Sequence, residues 1–270
     1  MTSDLVDPDQ AVADLRWVVE SPAFAEGPNT EPAHQLDLEA IDPEHLAATL
    51  GVLPPRVGHY FERLVRYWLE HSVGVDLEAA GLQLSDPETG RTIGELDFVF
   101  VDGQGRRCHW ETAVKFFLYD PARPGSHFPG PNVRDDYESK IAKLFDEQLA
   151  RPGAGEFAER LAFVKGCCFH HPLVGAPPEL PDRMPETCMT GTWIRAGEAH
   201  LVCDAWADHG FTLLEKPHWL APPPSPARPI VDFAGALSDH FAQSRRTIMA
   251  AIVDADDHEV RRVCVVHQDW

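Results

Sequence analysis

A chain that places carboxylates and a lysine on one face of an otherwise apolar β-hairpin has few folds open to it. Residues 93–119, IGELDFVFVDGQGRRCHWETAVKFFLY, form such a segment. Two runs rich in Val, Phe, Ile and Leu flank Asp102-Gly103-Gln104-Gly105, whose Asp and glycines tolerate the positive φ of a tight connection. Side chains alternate across a strand, so Glu95, Asp97 and Val99 oppose Leu96, Phe98 and Phe100, while His109, Glu111, Ala113 and Lys115 oppose Trp110, Thr112, Val114 and Phe116. Paired across the turn, one face carries Glu95, Asp97, Glu111 and Lys115. Carboxylates on a half-buried sheet are costly unless they pair or hold a cation, which marks this face as a candidate site.

The flanking segments supply the elements around it. Residues 8–19 show apolar residues at helical spacing and stop at Ser21-Pro22; a loop is expected from Glu26 to His34, then a short helix from Asp42-Pro43. Arg56 to His71 is the strongest helix pattern, with Val57, Tyr60, Phe61, Leu64, Val65, Trp68 and Leu69 on one stripe. Glu62 lies at the stripe's edge, where it can pair with Arg66 at i,i+4 or serve a site. Residues 73–84 predict a strand, 85–90 a turn, 121–131 a Pro- and Gly-rich loop, 135–150 a second helix and 160–169 a buried strand. Further strands are expected at Thr190–Val202 and Phe211–Leu220 with Trp193 and Trp219 as core anchors. A proline-rich linker at 221–229, an amphipathic helix within Ile230–Val253 and a final apolar run at Val260–His267 complete the chain.

Composition narrows the function. Residues 1–50 hold eleven acids against Arg16, half of the net charge of −20, and the excess argues against a broad basic surface for a long duplex. No apolar run approaches the roughly 18 residues of a membrane helix and no basic-then-apolar leader is present, so a soluble, cytoplasmic protein without a membrane partner is expected. The six cysteines lack CxxC spacing and are expected to be reduced; the run Cys167-Cys168-Phe169-His170-His171 has the wrong spacing for structural zinc. There is no GxGxxG, P-loop, HExxH or GxSxG.

GELDF followed by a turn and HWETAVKF resembles the core of the PD-(D/E)XK nuclease superfamily, and YFERL (60–64) with WLAP (219–222) is similar to a bacterial family of unknown function assigned to it. The resemblance implies an α/β restriction-endonuclease-like fold: an αβββαβ core with a mixed sheet flanked by helices over residues 56–220, a helical cap over 1–55, and a linker, helix and strand over 221–270. It also implies a nuclease in which Asp97 and Glu111 hold Mg²⁺ or Mn²⁺ and Lys115 orients the attacking water. Glu62 becomes the acid that the first core helix directs at the metal, and Glu95 a further acid for the same or a second ion. One departure stands out: the superfamily's second acid lies two residues before the lysine, where this chain has Ala113, and Glu111 sits roughly 7 Å further along the strand. The metal is then held by Glu111 reaching back or by Glu95 or another acid in its place, or it is lost. Two other functions stay open, a catalytically inactive binding module and a hydrolase of a small phosphorylated substrate.

Overall fold

The computed structural model describes residues 6–27, 37–86, 88–151, 155–222 and 226–270. Parts of the expected 26–34 loop and of the 221–229 linker lie outside these residues. The fold is mixed α/β. Among the described residues, nine strands form a mostly antiparallel sheet in the order β1 (Asp76–Ser85), β2 (Thr92–Val101), β3 (Arg107–Tyr119), β4 (Glu159–His170), β5 (Met189–Arg195), β9 (Glu259–Val266), β8 (Ile248–Val253), β6 (Gly210–Leu214) and β7 (Arg228–Pro229). The β4–β5 and β5–β9 pairs are parallel. The helices are α1 (Pro8–Glu20), α2 (Pro43–Leu50), α3 (Val57–His71), α4 (Tyr137–Ala142), α5 (His200–Ala205) and α6 (Phe233–Gln243). Among the described residues no helix is long and apolar enough to cross a membrane.

The chain divides into two compact units. The first comprises Met1–Lys115, Ser139–Gly166 and Pro181–Cys188. Its helices begin where capping chemistry dictates: Asp7 accepts the Gln10 N–H ahead of Pro8, and Asp42 accepts the Glu44 and His45 N–H groups around Pro43. All seven residues of the α3 apolar stripe are buried. Trp68 from this helix meets Trp110 of β3 and Phe163 of β4 with ring centroids 5.6 and 5.3 Å apart, forming the aromatic heart of the unit. The expected helix over 135–150 is interrupted: α4 ends at Ala142 and a π-helical turn, Lys143–Gln148, follows, with Leu149 N–H donating to Leu144 O.

The second unit comprises Phe116–Glu138, Cys167–Leu180 and Met189–Trp270. Its core joins Phe211, Phe233, Leu237, Ile248, Ile252, Val263 and Val265. Three expectations are corrected here. The Thr190–Val202 strand stops at Arg195, because the Glu198 carboxylate accepts the Arg195 N–H and turns the chain into a 3₁₀ turn and then α5. The Phe211–Leu220 strand ends at Leu214 ahead of Pro217, which has no N–H for a ladder. The helix within Ile230–Val253 ends at Gln243, and Ile248–Val253, buried at every residue, is β8: an unbroken apolar run carries no period to separate helix from strand. Trp193 and Trp219 are buried, as expected of anchors. Arg262, 4 % exposed, donates to the carbonyls of Trp219 (2.7 Å) and Leu220 (2.8 Å) and pairs with Glu259. Arg262→Met should therefore cost about 2–3 kcal/mol in urea denaturation, since it strands two buried acceptors and a carboxylate.

Candidate functional site at the fork of two strands

The hairpin turn is built by Asp102, whose Oδ1 accepts the N–H groups of Gln104 and Arg106, with Gly105 at φ +74°. From there β2 and β3 pair from Val101↔Arg107 to Phe98↔Trp110. Val99 lies opposite His109, so the alternation puts Glu95 and Asp97 on the face of Glu111 and Lys115. Beyond Trp110 the pairing gives way to a side-chain bond: the Thr112 N–H donates to Asp97 Oδ2 (2.7 Å), and the Thr112 hydroxyl donates to the same oxygen (3.3 Å). The two acid-bearing strands fork at Asp97.

A cavity of about 350 Å³ lies beside Asp97, between α3 and the β1–β2 pair. Its walls are His59, Glu62, Arg63 and Arg66 of α3 and Ala80, Gly81, Glu95, Asp97 and Phe98 of β1 and β2. The helical residues sit at i, i+3, i+4 and i+7, a polar stripe on α3 beside its buried one. Gly81, flanked by the pairs Ala80↔Phe98 and Leu82↔Leu96, takes φ +72° opposite Asp97. That conformation strains any residue with a Cβ, and an added Cβ would lie 3.5 Å from Glu95 Oε1, so this point of the wall carries no side chain. Arg66 pairs with Glu70 at 2.7 Å, and Glu62 instead lines the cavity.

The electrostatics follow from crowding. Burial first, then the nearby Glu111 and Glu62, push the Asp97 carboxyl up to about 7 against the opposing Thr112 bonds. Burial likewise raises Glu62, helped by Glu95 and opposed by His59 and Lys115. Glu111 is fully buried: His109 Nε2 lies 2.9 Å from Oε1, and Gln148 Nε2 donates to Oε2 at 2.9 Å. Facing an ionised Glu111, which only accepts, His109 would carry its proton on Nε2.

The structure thus gathers Glu62, Glu95, Asp97, Glu111 and Lys115 in one neighbourhood, with Glu62, Glu95 and Asp97 lining the cavity and Glu111 fully buried and outside that lining. The arrangement is open. Among the described residues, the set of three His, Cys, Asp or Glu side chains with ligand atoms within 4.8 Å of one another is Asp254, Asp256 and His258, on the β8–β9 turn. Asp254 Oδ1 there already accepts the N–H groups of Asp256 and His258.

Sequence reasoning missed Thr112, Gly81, Gln148, and the roles of His59, Arg63 and Arg66 as cavity walls. Thr112 carries no signal in the sequence, since a strand N–H ordinarily serves the ladder; His109, two residues from Glu111 on the same face, is legible. A family model described as a domain of unknown function (DUF1853) matches residues 7–266. No curated protein and no solved structure matches the chain.

Proposed function

The chain belongs to the DUF1853 family over residues 7–266, and we propose that the cavity between α3 and the β1–β2 pair, beside Asp97, is a metal-dependent phosphodiesterase centre of the PD-(D/E)XK type, acting on nucleic acid. The observation that carries this reading is that Glu62 of α3 and Glu95 and Asp97 of β2 line one cavity, with Lys115 close enough to oppose, in small part, the rise that burial imposes on the Glu62 carboxyl. The order α3, β1, β2, β3, α4, β4 supports it as an αβββαβ succession.

The donor set fits Mg²⁺ or Mn²⁺, which take oxygen ligands from one or two carboxylates and complete their shell with water. Asp97 keeps Oδ1 outside its bonds to Thr112, Glu62 and Glu95 line the same cavity, and the repulsion among Asp97, Glu111 and Glu62 is of the kind a cation relieves. Asp97 with Glu95 or Glu62 would hold the ion directly, and Glu111 through the lone pairs left by His109 and Gln148. When bound, the ion supplies charge stabilisation at a phosphoryl oxygen and an acidified water. Lys115 brings an ammonium to the edge of the acids, where it orients a nucleophile or meets charge growing on phosphorus. Arg63 is held by its bonds to the Leu50 and Val52 carbonyls, so it presents a fixed cation to the cavity.

A second reading, a catalytically silent binding module, is favoured by one observation: both Glu111 oxygens are already bonded in a fully buried position. Calorimetric titration with Mn²⁺ separates the two. Wild type should bind, Asp97→Ala should not, and Glu111→Ala should bind at least tenfold more weakly. Binding by Asp97→Ala as tight as wild type, or none by wild type, would sink the metal centre and leave the fold as a scaffold.

A further inference from the structure

We infer that residues 143–151 form a clasp that sets the separation of the two acid-bearing strands, with Gln148 and Arg151 as positioning residues for the metal centre; this rests on the reading of that centre given above. Where the β2–β3 pairing gives way, backbone hydrogen bonds no longer fix the distance between the strands. The segment after α4 grips each of them instead. Gln148 donates to the Glu111 carboxylate of β3 at 2.9 Å, and Arg151 Nη1 donates to the Glu95 carbonyl of β2 at 2.7 Å. Arg151 also packs over Gly94, where an added Cβ would lie 2.7 Å from its Nε, so a side chain at 94 would push the guanidinium away.

The clasp is itself anchored. Arg160 of β4 donates from Nη1 to the carbonyls of Leu149 and of Arg151, the latter at 2.9 Å, satisfying carbonyls that the end of the helical turn leaves open. The π-helical turn Lys143–Gln148 ends at the first gripping residue. Such turns are rare and recur at functional sites, because an i→i+5 closure re-aims the residues that follow. Arg151 lies three positions after Gln148, so one short stretch spans the fork and bonds to both strands. Glu111 is thereby held from two sides, by His109 along its own strand and by Gln148 from across, and its carboxylate cannot rotate without breaking one of the bonds. A ligand carboxylate fixed in this way loses less freedom when an ion arrives, and removing such an outer partner typically weakens metal binding 10- to 100-fold.

The test is calorimetric titration of the full chain with Mn²⁺, comparing wild type with Gln148→Met and Arg151→Met, each of which keeps volume and removes the donor. The expected result is a Kd raised about 10-fold or more in both variants with stoichiometry unchanged. Stoichiometry distinguishes the clasp from a general loss of structure, since a partly unfolded sample lowers the number of sites and leaves their Kd alone. Wild-type affinity in both variants would overturn the clasp and leave the metal centre standing. Should Gln148→Met fail to fold, Arg151→Met decides by the same criterion. Absence of Mn²⁺ binding in wild type would remove the centre and the clasp with it.

Discussion

Asp97→Asn should make the metal-free protein more stable than wild type at pH 8, by on the order of 3 kcal/mol, while abolishing Mn²⁺ binding. The Asp97 carboxyl sits at about 7 in the folded protein against an ordinary 3.8, because burial and the adjacent Glu111 disfavour its charge. Below pH 3.8 both folded and unfolded chains hold the proton, and the group contributes its full share of stability. As pH rises toward about 7 the unfolded chain releases a proton that the folded one retains, so stability falls; above that the penalty is complete. An amide cannot ionise, and its oxygen can still accept the Thr112 N–H. The advantage of the variant should therefore be near zero at pH 3.5, grow through pH 5 to 7 and level off by pH 8. Urea midpoints at these pH values measure it directly. A variant no more stable than wild type at pH 8 would mean that the carboxylate is accommodated without penalty. Such a residue is one whose optimum for a cation is not its optimum for the empty fold.

The second large effect lies on the opposite face of the same hairpin, on β3. Trp110→Ala should cost about 4 kcal/mol, enough to unfold much of the population of a marginal domain. Trp110 is fully buried, its ring centroid 5.1 Å from Phe100, 5.6 Å from Trp68 and 5.5 Å from Phe163. Truncation removes the ring to which strands β2 and β4 and helix α3 all pack. It also sits at Phe98↔Trp110, the last backbone pair before the fork, so the loss should reach the site. Loss of far-UV ellipticity at lower urea measures the cost, and Trp110→Phe, which keeps a ring, should recover part of it. A cost below about 1 kcal/mol would show that the aromatic cluster is not what holds the hairpin against α3.

The two faces of β3 differ in how openly the sequence shows them. Trp110, Thr112 and Phe116 against His109, Glu111 and Lys115 is a matter of pleat geometry, and the Val99↔His109 register bears out the alternation. The apolar stripe of α3 and the Asp-Pro starts of α1 and α2 were legible for the same reason: helix period and capping act within a few residues. The second half of the chain was less legible where local signals conflict or cancel. Ile248–Val253 is uniformly apolar and took its state from β6 and β9 on either side, while the Glu198 cap ended β5 inside a run that alternates like a strand.

By itself, then, the sequence determined which side chains share a face, because Cβ direction is set one residue at a time. It placed Glu95, Asp97, Glu111 and Lys115 together before any partner strand was known. Only the tertiary structure decided what those acids do with their neighbours. Asp97 takes a backbone N–H from Thr112 fifteen residues away, Glu111 is bonded by Gln148 thirty-seven residues away, and Gly81 opens the space in front. Such contacts depend on how distant segments close on one another, and no local period encodes that. The fork at Asp97, where one strand's side chain replaces the other's ladder bond, is the point at which local pattern ends and tertiary packing takes over.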